Sequence, residues 1–183
     1  TIQGGIKFRQ DLEFNKNTTL LERMESNANI TRKLFNNAKT GGGYVFVGDD
    51  LFRPEVENEH RIIQYYSFSF KFEKFRLSNR IRNEQRISAD SYKNRLRYRI
   101  GIDLPLNGEQ LNSKEAYFAA SNEVLSTFNA HYGKFENRFG VGVGWQIQQN
   151  KKMQVQLQHR ISSISTADES HAIFLATTFY FSK

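Results

Sequence analysis

The chain has 183 residues, which is enough for one domain with its own core or for one closed β-barrel. Its formal net charge of +7 at pH 7 is compatible with an anionic partner, but the arginines lie in periodic segments and form no single patch, which argues against a nucleic-acid binder. Because the sequence has no cysteine and no apolar run of about 18 residues, it excludes disulfides, thiolate metal sites and membrane-spanning helices.

Apolar and polar residues alternate with a period of two along most of the chain, which predicts β-strands, and no helical period is visible. Taken in chain order, strands are expected around residues 6–14, 20–33, 41–48, 61–72, 75–88, 94–106, 115–128, 140–148, 153–161 and 172–183. The segment 41–48, GGGYVFVG, fits least well because it is apolar on both sides. Most of these segments are long compared with the average of about 5–6 residues for ordinary strands.

The breaks between these segments alternate between tight and long. Tight breaks at 73–74 and 149–151 and long ones at 49–59 and 163–170 predict an up-and-down meander, to which the long break at 105–114 is an exception. We therefore predict an all-β fold, a single domain over residues 1–183 that closes into a transmembrane antiparallel β-barrel of about ten strands. With both termini in the periplasm, the tight turns fall on the periplasmic side and the long loops fall outside.

The stretch NRLRYRIGIDLPL at 94–106 indicates which side of the strands faces inwards. Arg95, Arg97 and Arg99 alternate there with apolar residues. A soluble carrier would put the apolar residues inside, whereas a transmembrane barrel puts them against lipid. An arginine that faced mid-bilayer lipid would cost roughly 2–4 kcal/mol, so in a membrane the arginines must face the lumen. Strand length and the aromatic residues near strand ends favour the membrane.

Charged residues on the arginine side of the strands predict a network inside the barrel, in which guanidinium groups pair with carboxylates. Its expected members are Arg80, Arg82, Glu84, Arg86, Arg95, Arg97, Arg99, Asp103, Glu123, Glu136, Arg138 and Arg160. About ten strands enclose little more than the filled interior of an eight-stranded barrel, so we expect this network to fill the lumen; an anion-selective constriction is the alternative. Gly140, Gly142 and Gly144 are expected to make room for arginines opposite.

No catalytic, cofactor or metal site is predicted, and we expect a protein that is not an enzyme. The histidines are His60, His131, His159 and His171. The meander places His131 and His171 in outer loops, His60 near a loop edge and His159 on the lipid side. Asp168, Ser170 and His171 share one loop, but a catalytic triad usually draws on separate segments. A metal site from His131, His171 and Asp168 has no better support.

Five stretches resemble a known protein family. They are ENEHR at 57–61, RIRNEQR at 80–86, NRLRYRIGIDLPL at 94–106, SNEV at 121–124 and NRFGVGVGW at 137–145. Through them most of the chain is similar to a domain-of-unknown-function family of small outer-membrane β-barrel proteins of Bacteroidetes. The resemblance implies the fold and a location as an integral protein of the outer membrane. It implies no catalytic residue, because the activity of that family is not established.

Three hypotheses for function follow. The first is a non-enzymatic barrel of the Gram-negative outer membrane that serves as a structural or accessory subunit of a larger outer-membrane complex. Its partners would be outer-membrane lipid, lipopolysaccharide and other outer-membrane proteins, with no nucleic acid and no cofactor. The second hypothesis is a narrow, porin-like channel for anions or small solutes. The third is a soluble ten-stranded carrier of apolar ligands.

Overall fold

The computed structural model describes residues 2–9, 23–49, 58–130, 133–164, 167 and 169–181. These residues form ten β-strands: β1 (Ile2–Arg9), β2 (Arg23–Phe35), β3 (Ala38–Asp49), β4 (Glu59–Phe72), β5 (Phe75–Ile87), β6 (Tyr92–Pro105), β7 (Glu115–Phe128), β8 (Gly133–Gln148), β9 (Lys151–Ser162) and β10 (Ser170–Phe181). None of the described residues lies in a helix, so the all-β class is confirmed. Within this part of the chain, no helix is long and apolar enough to span a membrane.

The strands form one sheet in the order β1 to β10, so that each strand lies beside its neighbour in sequence. The registers of β1 with β2, β2 with β3, β8 with β9 and β9 with β10 are antiparallel. This meander of ten strands is the topology predicted from the alternation. The sheet differs from the predicted barrel in one respect. Among the described strands, β1 and β10 are not paired with each other, so the sheet is not closed. A period of two determines faces and neighbours, whereas closure depends on strand tilt and stagger.

The connections follow the predicted alternation where they are described. Two residues, 73–74, connect β4 to β5, and two, 149–150, connect β8 to β9. The connections 106–114 and 163–169 are long, as expected from the sequence. Between β5 and β6, the backbone N–H of Ser88 donates to the carbonyl of Ser91 over 2.9 Å, and the hydroxyl groups of the same residues lie 2.7 Å apart. The predicted strand residues 10–14 and 20–22 and most of the loop 49–59 lie outside the described residues.

The chain divides into two compact units, which are described separately. The first unit comprises Thr1–Tyr66, Ile81–Leu96 and Ser126–Gly133. Its apolar cluster consists of Val45, Val47 and Ile63, with Tyr65 packed against it. Because Val45 and Val47 alternate with the exposed Tyr44 along β3, this cluster occupies one side of the strand.

The second unit comprises Ser67–Arg80, Arg97–Leu125 and Lys134–Lys183. Its buried apolar residues on β7 are Tyr117, Ala119 and Leu125, and they alternate with the exposed Phe118 and Val124. The same strand buries the carboxylate of Glu123 on the side of Leu125. The buried side of β7 therefore carries both apolar and charged groups.

The residues of β6 show how the two sides of a strand differ. Leu96, Tyr98 and Ile102 are 48%, 44% and 39% exposed. The side chain of Arg97, which points to the opposite side, is only 14% exposed. We call the side of β4 to β9 that carries Arg97 and the neighbouring charged residues the arginine face, and the opposite side the apolar face. This sorting by side follows the alternation read from the sequence.

Candidate functional site on the arginine face

The central contact of the second unit joins three charged residues from neighbouring strands. Arg97 of β6 donates from Nε to Oε1 of Glu123 over 3.2 Å and from Nη2 to Oε2 over 2.7 Å. Arg80 of β5 approaches the same carboxylate, with Nη2 at 3.4 Å from Oε1. Glu123 is 7% exposed, and a carboxylate so buried needs such partners to stay ionised. The two-point contact with Arg97 is the strong, geometrically specific form of this pair.

Other charged residues of the second unit find partners of different kinds. Arg99 donates from Nη2 to the hydroxyl of Ser121 over 3.2 Å. Arg138 donates from Nε to Glu136 over 2.5 Å, and these two residues lie two positions apart on β8. Since side chains two positions apart share a face of a strand, this pair forms within one strand. All these contacts lie on the arginine face.

Asp103 belongs to charges of the second unit that share Arg99 with the contact around Glu123. Its carboxylate interacts electrostatically with Lys152, Arg76 and Arg99. The ammonium of Lys152 also lies 5.6 Å from the centre of the Tyr117 ring, within range of a cation–π interaction. This group continues the arginine face along β6 beyond Arg99.

The first unit has its own charged pairs. Arg82 contacts Glu84 with Nε at 2.8 Å from Oε1, and Glu84 is fully buried. Arg86 contacts Glu59 with Nη2 at 2.7 Å from Oε2. Arg61 also contacts Glu59 through Nε. The carboxylate of Glu59 therefore pairs with two guanidinium groups on the same side of β4 and β5.

The remaining predicted members of the network pair with neutral groups. Arg95 donates from Nε to the hydroxyl of Thr127 over 2.8 Å, in the first unit. Arg160, in the second unit, donates to the amide oxygen of Gln158 over 3.0 Å and lies 4.0 Å from the centre of the Phe174 ring. Both Arg95 and Arg99 thus donate to hydroxyl groups, a kind of partner not expected from the sequence. Arg99 also interacts electrostatically with the carboxylates of Asp103 and Glu123, as expected. Neutral acceptors cost less to bury than carboxylates do.

Several residues of the network are not among the members predicted from the sequence: Glu59, Arg61, Arg76, Ser121, Thr127 and Lys152. A signal was present for Glu59 and Arg61, because they stand two positions apart at the start of β4 and so share a face. Ser121 and Thr127 share the parity of Glu123 on β7, which places them on the arginine face as well. Their partners depend on the register between strands, which the sequence does not show.

The alternating glycines of β8 make room for tyrosine and glutamine, and the expectation that they accommodate arginines is wrong. A Cβ atom on Gly144 would collide with the ring of Tyr117, and one on Gly140 would lie 3.3 Å from Oγ of Ser121 and 3.4 Å from Cγ of Gln158. Tyr117 is almost fully buried and donates to Oε1 of Gln154 over 3.3 Å. Glycine permits this close approach because it has no side chain.

The chain matches a protein family over most of its length. A family profile described as "Protein of unknown function (DUF2490)" matches residues 2–171. The chain belongs to the DUF2490 family. No curated protein and no solved structure matches it. The DUF2490 match includes all twelve predicted members of the arginine network, so the charged face described above lies within the segment that defines the family.

One histidine of this DUF2490 protein is placed differently from the prediction. His171 lies in β10, not in a loop, and its ring stacks on that of His159 with the centres 5.3 Å apart. Nε2 of His159 lies 3.2 Å from Nδ1 of His171. His60 lies in β4 and hydrogen-bonds Tyr44. The strand extends further towards its N-terminus than the apolar run beginning at 172 indicated, because Ser170 and His171 pair with β9.

The proposed loop constellation of Asp168, Ser170 and His171 falls partly outside the described residues. Asp168 and His131 are not among them, whereas Ser170 begins β10. Across the ranges that are described, no group of three or more histidines, cysteines or acidic residues is arranged to hold a metal ion.

The apolar face carries a few polar residues, and they bond to each other. Asn122 and Asn137 exchange two hydrogen bonds of 3.1 and 3.2 Å between their side-chain amides. The hydroxyl of Tyr98 donates to Oδ1 of Asn79 over 2.8 Å. These contacts satisfy polar groups on a side of the sheet that is otherwise apolar, which lowers the cost of removing that side from water.

Proposed function

We propose that the protein is a non-enzymatic β-barrel of the bacterial outer membrane and a structural or accessory subunit of a larger outer-membrane assembly. The single observation that carries the proposal is the contrast along β6, where Leu96 is 48% exposed while the side chain of Arg97 is 14% exposed and ion-paired. In a bilayer, the apolar face would meet lipid and the arginine face would be enclosed. In this proposal the ten strands close within the membrane and both termini lie in the periplasm.

The amount of exposed apolar surface supports the membrane environment. Large apolar side chains are exposed on the apolar face of every strand from β5 to β9, among them Ile81, Leu96, Phe118, Phe139 and Leu157. Soluble proteins rarely leave contiguous apolar patches of this kind in water. Lipid tails would cover such a surface without any partner protein.

Strand lengths and aromatic positions support the same environment. Strands β4 to β8 have 13–16 residues, and about 9–11 residues are needed for a tilted strand to cross a bilayer. Where β4 meets β5, the rings of Phe72 and Phe75 stack with centres 4.9 Å apart, and Phe70 stands beside Phe72. Aromatic residues concentrate at the two membrane–water interfaces of transmembrane barrels.

The accessory role rests on what occupies the arginine face. Its charged side chains contact each other, and in the first unit Ile63 of β4 forms an apolar cluster with Val45 and Val47 of β3. A lumen filled in this way leaves the outward surface and the loops for contacts with other molecules. The partners proposed are outer-membrane lipid, lipopolysaccharide and other outer-membrane proteins.

Location and partnership are tested by separate experiments. For location, we expect the protein in the outer-membrane fraction, extractable only with detergent and migrating differently on a gel before and after heating. For partnership, a photo-crosslinking amino acid would replace Phe118 or Leu157 on the apolar face, or Leu175 of β10, which pairs with Leu157, in living cells. Gln154 on the arginine face is the control. We expect one adduct of defined mass from an apolar-face position and none from the control. Release without detergent would contradict the location, and adducts with lipid alone would contradict the accessory role.

A further inference from the structure

Positive charge exceeds negative charge on the arginine face of the second unit. Around Glu123 and Asp103 stand five cationic groups: Arg76, Arg80, Arg97, Arg99 and Lys152. Five cations against two carboxylates leave an excess of three positive charges within this group. An excess of this size on a partly buried surface attracts anions.

The hydrogen bonds show where the excess is concentrated. Arg97 occupies both oxygens of Glu123. Arg80 reaches that carboxylate only at 3.4 Å, and its Nε is buried and makes no hydrogen bond. A guanidinium group carries five N–H donors in a planar fork, so Arg80 keeps donors for another acceptor. The unmet donor of Arg80 therefore lies beside a carboxylate that another arginine already holds.

Arg99 and Ser121 provide further donors next to Arg80. The guanidinium of Arg99 donates to Oγ of Ser121 over 3.2 Å. A hydroxyl that accepts this bond still has its own proton to donate. Arg80 and Arg99 also lie close enough to influence each other electrostatically. Donors from β5, β6 and β7 thus lie on the same face of neighbouring strands.

Small residues lie beside these donors on the arginine face. A Cβ atom on Gly101 would lie 2.9 Å from Oγ of Ser78 and 3.8 Å from Cβ of Ser121. A Cβ atom on Gly140 would lie 3.3 Å from Oγ of Ser121. Glycine and serine thus stand at four adjoining positions of this face, with the side chains of Gln156 and Gln158 beside Gly140, so the backbone and the short hydroxyl side chains approach each other closely there.

We propose that Arg80, Arg99 and Ser121 form a binding site for a tetrahedral oxyanion of the phosphate or sulfate type. The two guanidinium groups bind the anion oxygens through paired N–H donors, and the hydroxyl of Ser121 donates to a third oxygen. Glu123 borders the site and competes with the anion for Arg80. The ligand is either a free anion or the phosphate ester of a larger molecule such as a lipid headgroup. The site goes beyond the proposed accessory role and does not depend on it.

Calorimetric titration of the detergent-solubilised full chain with inorganic phosphate, at constant ionic strength, tests the site. We expect one saturable site, and binding about tenfold weaker in Arg80→Gln and in Arg99→Gln because each loses a charged hydrogen-bond donor. Glu123→Gln should bind about threefold tighter or more, because the competing negative charge is gone. Arg32→Gln removes an exposed arginine of β2 in the first unit and should bind as the wild type does.

Two further titrations identify the source of the anion. Saturation by inorganic phosphate supports a free anion, whereas saturation by glycerol 3-phosphate alone supports a headgroup ester. Circular dichroism checks that each variant is folded. If Arg99→Gln does not fold, Arg99→Lys replaces it, because lysine keeps the charge but lacks the paired N–H donors of arginine. The proposal is overturned if neither compound gives more heat than sodium chloride, or if the Arg80 and Arg99 variants bind as tightly as the wild type.

Discussion

Arg97 and Glu123, which are 26 residues apart in sequence, meet across β6 and β7 through two hydrogen bonds of 3.2 and 2.7 Å. Leu96 and Val124, the residues next to them, are exposed at 48% and 44%. Ion pair and apolar surface therefore lie on opposite sides of the same two strands. This relationship links the stability of the fold to the environment proposed for it.

Removing the carboxylate of Glu123 should destabilise the fold strongly. In Glu123→Ala, Arg97 remains in a site where its side chain is only 14% exposed. Loss of one partner of a buried pair costs about 3–5 kcal/mol, and we expect a loss of that size in the free energy of unfolding measured with urea in lipid vesicles. The control Glu109→Ala, in the exposed loop 106–114, should stay within about 0.5 kcal/mol of the wild type.

The double variant Arg97→Leu/Glu123→Leu distinguishes an isolated charge from a lost attraction. Because it leaves no charge of the pair behind, we expect it to be more stable than Glu123→Ala. A cost below about 1 kcal/mol for Glu123→Ala would show that the pair behaves as an exposed surface salt bridge.

Gly144 should not tolerate a methyl group. The added Cβ in Gly144→Ala would overlap the buried ring of Tyr117, so we expect a loss of about 1–3 kcal/mol in the free energy of unfolding. Gly133→Ala is the matched control, because a Cβ there would meet nothing within 4 Å. Replacing Tyr117 with leucine in the Gly144→Ala background should recover part of the loss. Equal stability of the two alanine variants would mean that the close approach of Tyr117 is not maintained.

Asn122 and Asn137 should behave as a coupled pair. Their amides exchange two hydrogen bonds on the apolar face, so Asn122→Leu alone leaves the other amide without them. An unsatisfied buried polar group costs about 1–3 kcal/mol, and we expect a loss of that size for each single variant in lipid. The double leucine variant should be close to the wild type in stability. Additive losses in a double-mutant cycle would argue against the pairing.

The alternation of residues was sufficient to predict the strands and their sides. The expected segments 61–72 and 115–128 lie within a few residues of β4 and β7, and their apolar and polar sides separate as the period of two requires. Contacts within a strand can be predicted from the sequence too, because Glu84 stands two positions from Arg82 and Glu136 stands two positions from Arg138. These pairs need no knowledge of the neighbouring strand.

Contacts between strands cannot be predicted from the alternation. The pairing of Arg97 with Glu123, and of Arg99 with Ser121, depends on a register that alternation does not determine. For the same reason the glycines of β8 were assigned the wrong neighbours. In β3, the segment GGGYVFVG is apolar on both sides, so alternation does not indicate that Val45 is buried while Tyr44 is exposed.

Trp145 offers the most direct test of the claim that the apolar face meets lipid. It is the single tryptophan of the chain, it lies on the apolar face of β8, and it is 41% exposed. The measurement is the quenching of its fluorescence in vesicles of brominated phospholipid, compared with quenching by aqueous iodide. We expect strong quenching by the brominated lipid and little by iodide. Efficient quenching by iodide, with no effect of the brominated lipid, would contradict the account.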